Sequence, residues 1–217
     1  MANCNMVPRE LPQSIRRNPK LRAECKVYDA LASSLAKNFH VYYSRWWFNA
    51  DNPMMKQRDG ESDFVIVHKD LGAIFIEVKG GQVRRDEEGQ WFSGRHKIKD
   101  PIRQARICKY QFRKGFQKRF IEKFGNASLP SPYFNHFVLL PDSSRTSTSY
   151  LGEGLTIEQF GFTEDMENIG KKIDDFFDYQ LAGVQFPTTD RLGEKGIEVF
   201  EDMFHQKFSF ESKLGIQ

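Results

Sequence analysis

Three residues of the 217 carry most of the chemical information: Asp63, Glu77 and Lys79. Glu77 and Lys79 stand two apart in Gly72-Ala-Ile-Phe-Ile-Glu-Val-Lys79, a run that is otherwise apolar. Successive side chains of a strand alternate between faces, so these opposite charges share one side while Ile76 and Val78 take the other. A second strand-like run, Asp63-Phe-Val-Ile-Val-His68, precedes it across Lys69-Asp70-Leu71-Gly72, and the pair reads as a hairpin whose Gly supplies a positive φ. The register that sets Asp63 opposite Glu77 brings both carboxylates to one face, whereas a slip of one residue separates them. We expect the first, with Gly72 absorbing an irregularity in the turn. Adjacent carboxylates repel, and at neutral pH they tolerate each other when a cation lies between them. Mg²⁺ or Mn²⁺ suits such a site, because these ions keep several waters and take phosphate oxygens from a substrate. A lysine beside the ion can deprotonate or orient the attacking water. The combination is one for phosphodiester cleavage; the plain alternative is an exposed ion pair worth little.

Elements must position these groups. Asn18-Pro19 reads as an N-cap followed by proline, and Leu21, Cys25, Tyr28, Leu31 and Leu35 recur at helical spacing, which predicts a helix over about 19–37. The stretch before it, to about Arg17, reads as an extended arm. Val41 to Phe48 is rich in strand formers, and a polar loop follows to Gly60. After the hairpin a short ribbon is expected through Val83, a turn at Asp86–Gly89, and Trp91-Phe92. Asp100-Pro101 repeats the helix start, and Ile102, Ala105, Cys108, Phe112, Phe116 and Phe120 form an apolar stripe, which predicts a helix over 101–124. His136 to Leu140 reads as a buried strand, Ser143–Tyr150 as a hydroxyl-rich loop, and acidic amphipathic helices are expected near 164–181 and 189–207. The order implies an α/β sandwich with a mixed sheet.

Composition excludes several function classes. With 39% hydrophobic and 28% charged residues and 20 Phe, the chain is an ordinary globular one. No apolar run approaches the length of a membrane span, and the first residues do not form a signal peptide, so a cytoplasmic location is expected. Cys4, Cys25 and Cys108 fit neither a disulfide framework nor a metal site. No histidine pair has zinc-hydrolase spacing, and no phosphate-binding GxxxxGK[ST] loop is present. Net charge is only +3, yet residues 152–217 hold 6 Lys or Arg against 14 Asp or Glu, while residues 1–151 hold 26 against 15. An anionic partner therefore belongs on the first part. Residues 101–121 of this helix carry Arg103, Arg106, Lys109 and Arg113 among seven cations and no acid, so it is a candidate surface for a phosphate backbone or simply a solvated face. Trp46 and Trp47 read as core aromatics or as stacking platforms for unpaired bases.

The ordered set of motifs resembles a known family. Ala23-Glu24 with Tyr28 and Leu31, Gly60-Glu61-Ser62-Asp63, Ile76-Glu77-Val78-Lys79-Gly80-Gly81, Trp91, and Asp100-Pro101 leading to Gln104-Ala105 resemble the nuclease-related domain (NERD) branch of the PD-(D/E)XK nuclease superfamily, over roughly residues 20–140. The proline of the superfamily's name is replaced by Ser62, as is common in this branch. The resemblance implies a restriction-endonuclease-like α/β/α sandwich with a central mixed sheet, spanning about 19–145 between an arm (1–18) and an acidic helical extension (146–217) that packs on the core or links to a partner. It implies that Asp63, Glu77 and the Val78 carbonyl hold Mg²⁺ or Mn²⁺, that Lys79 serves the water, and that Glu24 and Gln104 support the site from flanking helices. Their own positions leave both open: Glu24 also reads as a first-turn acid favouring the helix dipole, and Gln104 as a solvated polar residue. The implied substrate is DNA, with RNA left open, and a helicase or ATPase module is an implied partner, with Phe204–Gln217 as an attachment point. The competing reading is a non-catalytic nucleic-acid-binding or protein-docking module that keeps the fold.

Overall fold

A computed structural model describes residues 4–48, 59–145, 156–182 and 191–204. The described residues form nine strands and five α-helices, in the order β1 (Asn5–Val7), α1 (Gln13–Arg16), α2 (Arg22–Ser34), β2 (Phe39–Phe48), β3 (Asp59–His68), β4 (Gly72–Val78), β5 (Val83–Arg85), β6 (Trp91–Ser93), β7 (His96–Ile98), α3 (Pro101–Phe124), β8 (Phe134–Leu139), β9 (Phe160–Gly161), α4 (Ile169–Leu181) and α5 (Gly193–Phe204). Six strands form one mixed sheet in the order β1-β2-β3-β4-β8-β9, and β5-β6-β7 form a separate three-stranded ribbon. In the large sheet β2, β3 and β4 are antiparallel, while β1 joins β2, β8 joins β4 and β9 joins β8 in parallel.

Side-chain alternation makes the sheet apolar on both faces. Phe64, Ile66, Ile74 and Ile76 pack under α2 and α4 through Val27, Leu31, Ile173 and Phe176. Val65, Val67, Ala73 and Phe75 pack under α3 and α5 through Phe112, Phe116, Phe120 and Phe200. The result is the expected α/β/α sandwich with a mixed central sheet. A smaller cluster of Trp91, Ile102, Val138, Leu140 and Phe160 fastens the ribbon to the β8–β9 edge and the start of α3.

The hairpin takes the expected register: Phe64 pairs with Ile76, Val65 with Phe75, and so on to His68 with Gly72. Gly72 has φ +103, and a Cβ there would lie 2.0 Å from the Tyr133 carbonyl oxygen, so only glycine closes this turn. His68 Nδ1 accepts from Asp70 N and Leu71 N at 3.1 and 3.2 Å.

Several expectations change. The stretch to Arg17 is not extended throughout: β1 pairs at the sheet edge, Gln13–Arg16 are helical, and Met6 and Leu11 enter the core. Its three-residue strand is too short to show a period. The first helix ends at Ser34 rather than near 37, where Leu35 turns extended (ψ 144). Asp59 and Gly60, assigned to a loop, already belong to β3; the rest of that loop, like most of Ser143–Tyr150, lies outside the described residues. The strands β7 and β9 were not expected. The acidic helix near 164–181 begins as a 3₁₀ turn, Thr163–Asn168, before α4. Phe204, taken as the start of a partner-attachment end, is buried in the core, and 205–217 lie outside the described residues. The cysteines are free thiols, two of them buried.

Candidate active site

At the open end of the hairpin the backbone stops pairing. The β3–β4 ladder ends at Phe64–Ile76, one pair short of Asp63–Glu77, and the β2–β3 ladder skips Ser44 and Asp63 between Tyr43–Phe64 and Arg45–Ser62. Ser44 has φ +52, a left-handed conformation rare outside glycine and the kind of strain that collects at functional sites. Freed from the ladder, Asp63 accepts a 2.6 Å hydrogen bond on Oδ2 from the backbone N–H of Val78. Ser62, beside Asp63, is buried and donates to the Phe64 carbonyl at 2.9 Å.

Asp63, Glu77 and Lys79 line one cavity of about 430 Å³, together with Gln104 and Cys108 of α3, Asp59 and Glu61 of β3, Trp46 and Lys99. Glu77 is 3% exposed, and its Oε1 is ion-paired with Lys79 Nζ. Burial raises the Glu77 carboxyl above the usual range; Lys79 opposes the rise, and Glu24 and Glu61 add to it. Asp63 is pushed well above the ordinary carboxyl value by burial, then by the charges of Glu77 and Glu24, against the Val78 hydrogen bond. Both acids thus sit where a second negative charge is unwelcome.

Glu24 approaches from α2. Its carboxylate accepts a 2.7 Å hydrogen bond from Tyr43 Oη, and burial raises its pKa while Tyr43 lowers it. The close approach of α2 depends on Gly80: a Cβ there would fall 2.8 Å from that of Ala23. Asp142 ties the same corner together, accepting from Gly81 N at 3.0 Å and pairing with Lys26 of α2 at 3.4 Å. On the other side, Cys108 donates to the Glu61 carbonyl at 3.1 Å and accepts from Trp47 Nε1 at 3.4 Å, which holds α3 against β2 and β3. Burial raises this thiol to about 12, so it is a packing group.

Gln104 lines the cavity, and its Oε1 is buried with no hydrogen-bond partner among the described residues. Val78 contributes through its backbone N–H, with its side chain in the α2-side core. Of the four cations singled out on α3, Arg103 lines a neighbouring cavity, whereas Arg106 and Arg113 lie about 180–200° around the helix from Gln104 at about 100° per residue. Lys109 is half-buried on that shoulder, where desolvation and then Arg106 and Arg113 lower its pKa. The structure therefore gathers Asp63, Glu77, Lys79 and Gln104 with Glu24 beside them, and turns Arg106, Lys109 and Arg113 away. Sequence reading missed Asp59, Glu61 and Lys99; the alternation Asp59, Glu61, Asp63 on one strand was the available signal.

The profile of the nuclease-related domain matches residues 19–141. The chain belongs to the nuclease-related domain (NERD) family. No curated protein and no solved structure aligns significantly with it. The NERD match runs from the start of the helical turn before α2 to the end of β8, and so contains every residue gathered at the cavity.

A divalent cation fits this NERD site by donor chemistry. Among the described residues no three His, Cys, Asp or Glu side chains form a ready-made cage. Mg²⁺ needs only one or two carboxylates, with waters and phosphate oxygens completing its shell. Asp63 engages the protein through Oδ2 and Glu77 through Oε1, which leaves Asp63 Oδ1 and Glu77 Oε2 for a cation. No helix among the described residues is long and apolar enough to cross a membrane.

Proposed function

We propose that this NERD domain is a Mg²⁺- or Mn²⁺-dependent endonuclease that hydrolyses phosphodiester bonds in DNA. The observation that carries the reading is the convergence of Asp63, Glu77 and Lys79 on one cavity at the opened end of the hairpin. Asp63 and Glu77, with the Val78 carbonyl, would hold the cation. Once bound, the cation would polarise a phosphate oxygen and lower the pKa of a coordinated water.

The chain's own groups supply the rest. Glu77 fixes the Lys79 ammonium, which positions the attacking water and offsets the charge that develops on the phosphate. Gln104 and Lys99, on the opposite wall, hold the nonbridging oxygens. Glu24, oriented by Tyr43, keeps Lys79 centred by attraction from the α2 side. A helicase or ATPase module acting with the domain would supply strand separation, which nothing in the chain's own motifs provides.

With Mn²⁺, the purified protein should nick supercoiled plasmid. Asp63→Ala and Lys79→Ala should lower the rate by on the order of 10²–10⁴-fold while melting as folded proteins. Equal nicking by wild type and variants would assign the activity to a contaminant and remove the proposal. Glu77→Gln separates this reading from a non-catalytic binding module, since binding alone tolerates the change and hydrolysis does not.

A further inference from the structure

A second cavity, of about 540 Å³, adjoins the first. It lies between the ribbon and the start of α3 and is lined by Trp91, Lys97, Ile98, Arg103 and Ile107. Lys99 and Gln104 line both cavities, so the two form one continuous groove. The cations of this second cavity are Lys97, Lys99 and Arg103, all exposed, and among the described residues none is ion-paired with a carboxylate. The acid lining this second cavity, Asp100, is occupied as the α3 cap, accepting from Ile102 N and Arg103 N at 2.9 and 3.0 Å, whereas Asp59, Glu61, Asp63 and Glu77 line the first. Two buried polar atoms on the groove lining have no partner among the described residues: Gln104 Oε1 and the Nε1 of Trp91, a residue only 5% exposed. Such atoms cost free energy unless something pairs with them.

The ribbon wall is fixed in place. Ser93 donates to the Gly80 carbonyl at 2.8 Å, Val83 N donates to Ser143 Oγ at 2.8 Å, and Trp91 stacks on Phe160 at 6.4 Å. Trp46, 66% exposed, lines the first cavity only, on β2 opposite Glu61. Its neighbour Trp47 is 7% exposed and packs under α3.

From this arrangement we infer that the substrate is single-stranded DNA, lying along the groove with its backbone on Lys97, Lys99 and Arg103 and an unpaired base stacked on Trp46, beside the Asp63–Glu77–Lys79 centre. The inference rests on reading that centre as hydrolytic. A cationic groove continued by an open aromatic face is the pattern that binds single strands, because a stacked duplex offers no free base face. Each cavity has the volume of a small-ligand site, which suits nucleotides entering one at a time.

Binding is read without cleavage, by fluorescence anisotropy of a labelled dT₁₂ and of a 12-base-pair duplex in EDTA. The single strand should bind at least 10-fold more tightly. Trp46→Ala should weaken single-strand binding by on the order of 10-fold and leave duplex binding unchanged. The double variant Lys97→Ala/Arg103→Ala should flatten the slope of log K against log salt by roughly 1.4, since each single-strand contact contributes about 0.7. Equal affinity for duplex, no binding of either, or a Trp46→Ala variant that binds dT₁₂ like wild type overturns the inference. Plasmid nicking with no single-strand preference would remove this inference alone; single-strand binding with no nicking under Mn²⁺ would remove the hydrolytic reading instead.

Discussion

Asp63 illustrates how function is set against stability at a single side chain. Its carboxyl pKa is raised by burial and by two neighbouring carboxylates. The unfolded chain therefore loses this proton near pH 4 while the folded chain keeps it to higher pH. The stability contributed by Asp63 is full below the unfolded value and is lost as pH rises through the folded one. Asp63→Asn keeps an oxygen to accept from Val78 N and removes the charge, so without metal it should melt above wild type at pH 8, with the gap closing at pH 5. Melting curves in EDTA at the two pH values check this, and a gap that does not change with pH would count against the charge argument. At this scale the central trio was legible in the sequence, because strand alternation and hairpin register suffice to place Asp63, Glu77 and Lys79. What was not legible was the opening of the ladder at Ser44 and Asp63, which depends on one left-handed residue. That kink also breaks the face alternation: Tyr42 and Trp47, five residues apart, both pack on the α3 side. Trp46, which regular alternation would have placed with Tyr42, is left exposed.

Among the elements, α3 was the most legible and α2 the most consequential. Asp100 caps α3, Gly125 (φ +81) ends it, and its limits agree with the expected 101–124. The same helical period shows that Arg106 and Arg113 lie on the side away from Gln104, so a run of cations was readable as charge yet not as an interface. The strands β1 and β9 escaped notice because two or three residues cannot display a period. The helix α2 delivers Glu24 only because Gly80 admits Ala23 at close range. Gly80→Val should push α2 outward, costing about 1–3 kcal/mol of stability by overpacking. It should also reduce nicking while the Asp63, Glu77 and Lys79 side chains remain present. Thermal unfolding together with the plasmid assay tests this, and wild-type values in both would show that the helix position is not critical.

For the whole molecule, the NERD match ends at 141 but the core does not. Phe200 of α5 is fully buried against Phe116 at 5.3 Å and Phe134 at 5.8 Å, so α5 covers an apolar face of α3 that the family segment alone would leave open. Phe200→Ala should cost about 3–5 kcal/mol, read from denaturant unfolding; a loss under 1 kcal/mol would mean that α5 is peripheral. The segregated charge has a matching role. Glu198 and Asp202 of α5 pair with Lys123 at the far end of α3, the former at 2.6 Å, so part of the acidic segment neutralises the basic helix away from the site. These exposed pairs are worth little individually. They offset positive charge at the far end of α3, while Lys97, Lys99 and Arg103, beside the start of the helix, pair with no carboxylate among the described residues.

The most direct test of the whole account is a titration of Mn²⁺ into the protein, with free ion followed by electron paramagnetic resonance. Saturable binding of at least one ion per chain is expected in the wild type, and its loss in the doubly substituted Asp63→Asn/Glu77→Gln protein. Wild-type protein that takes up no Mn²⁺, or a double variant that takes up as much, would contradict it.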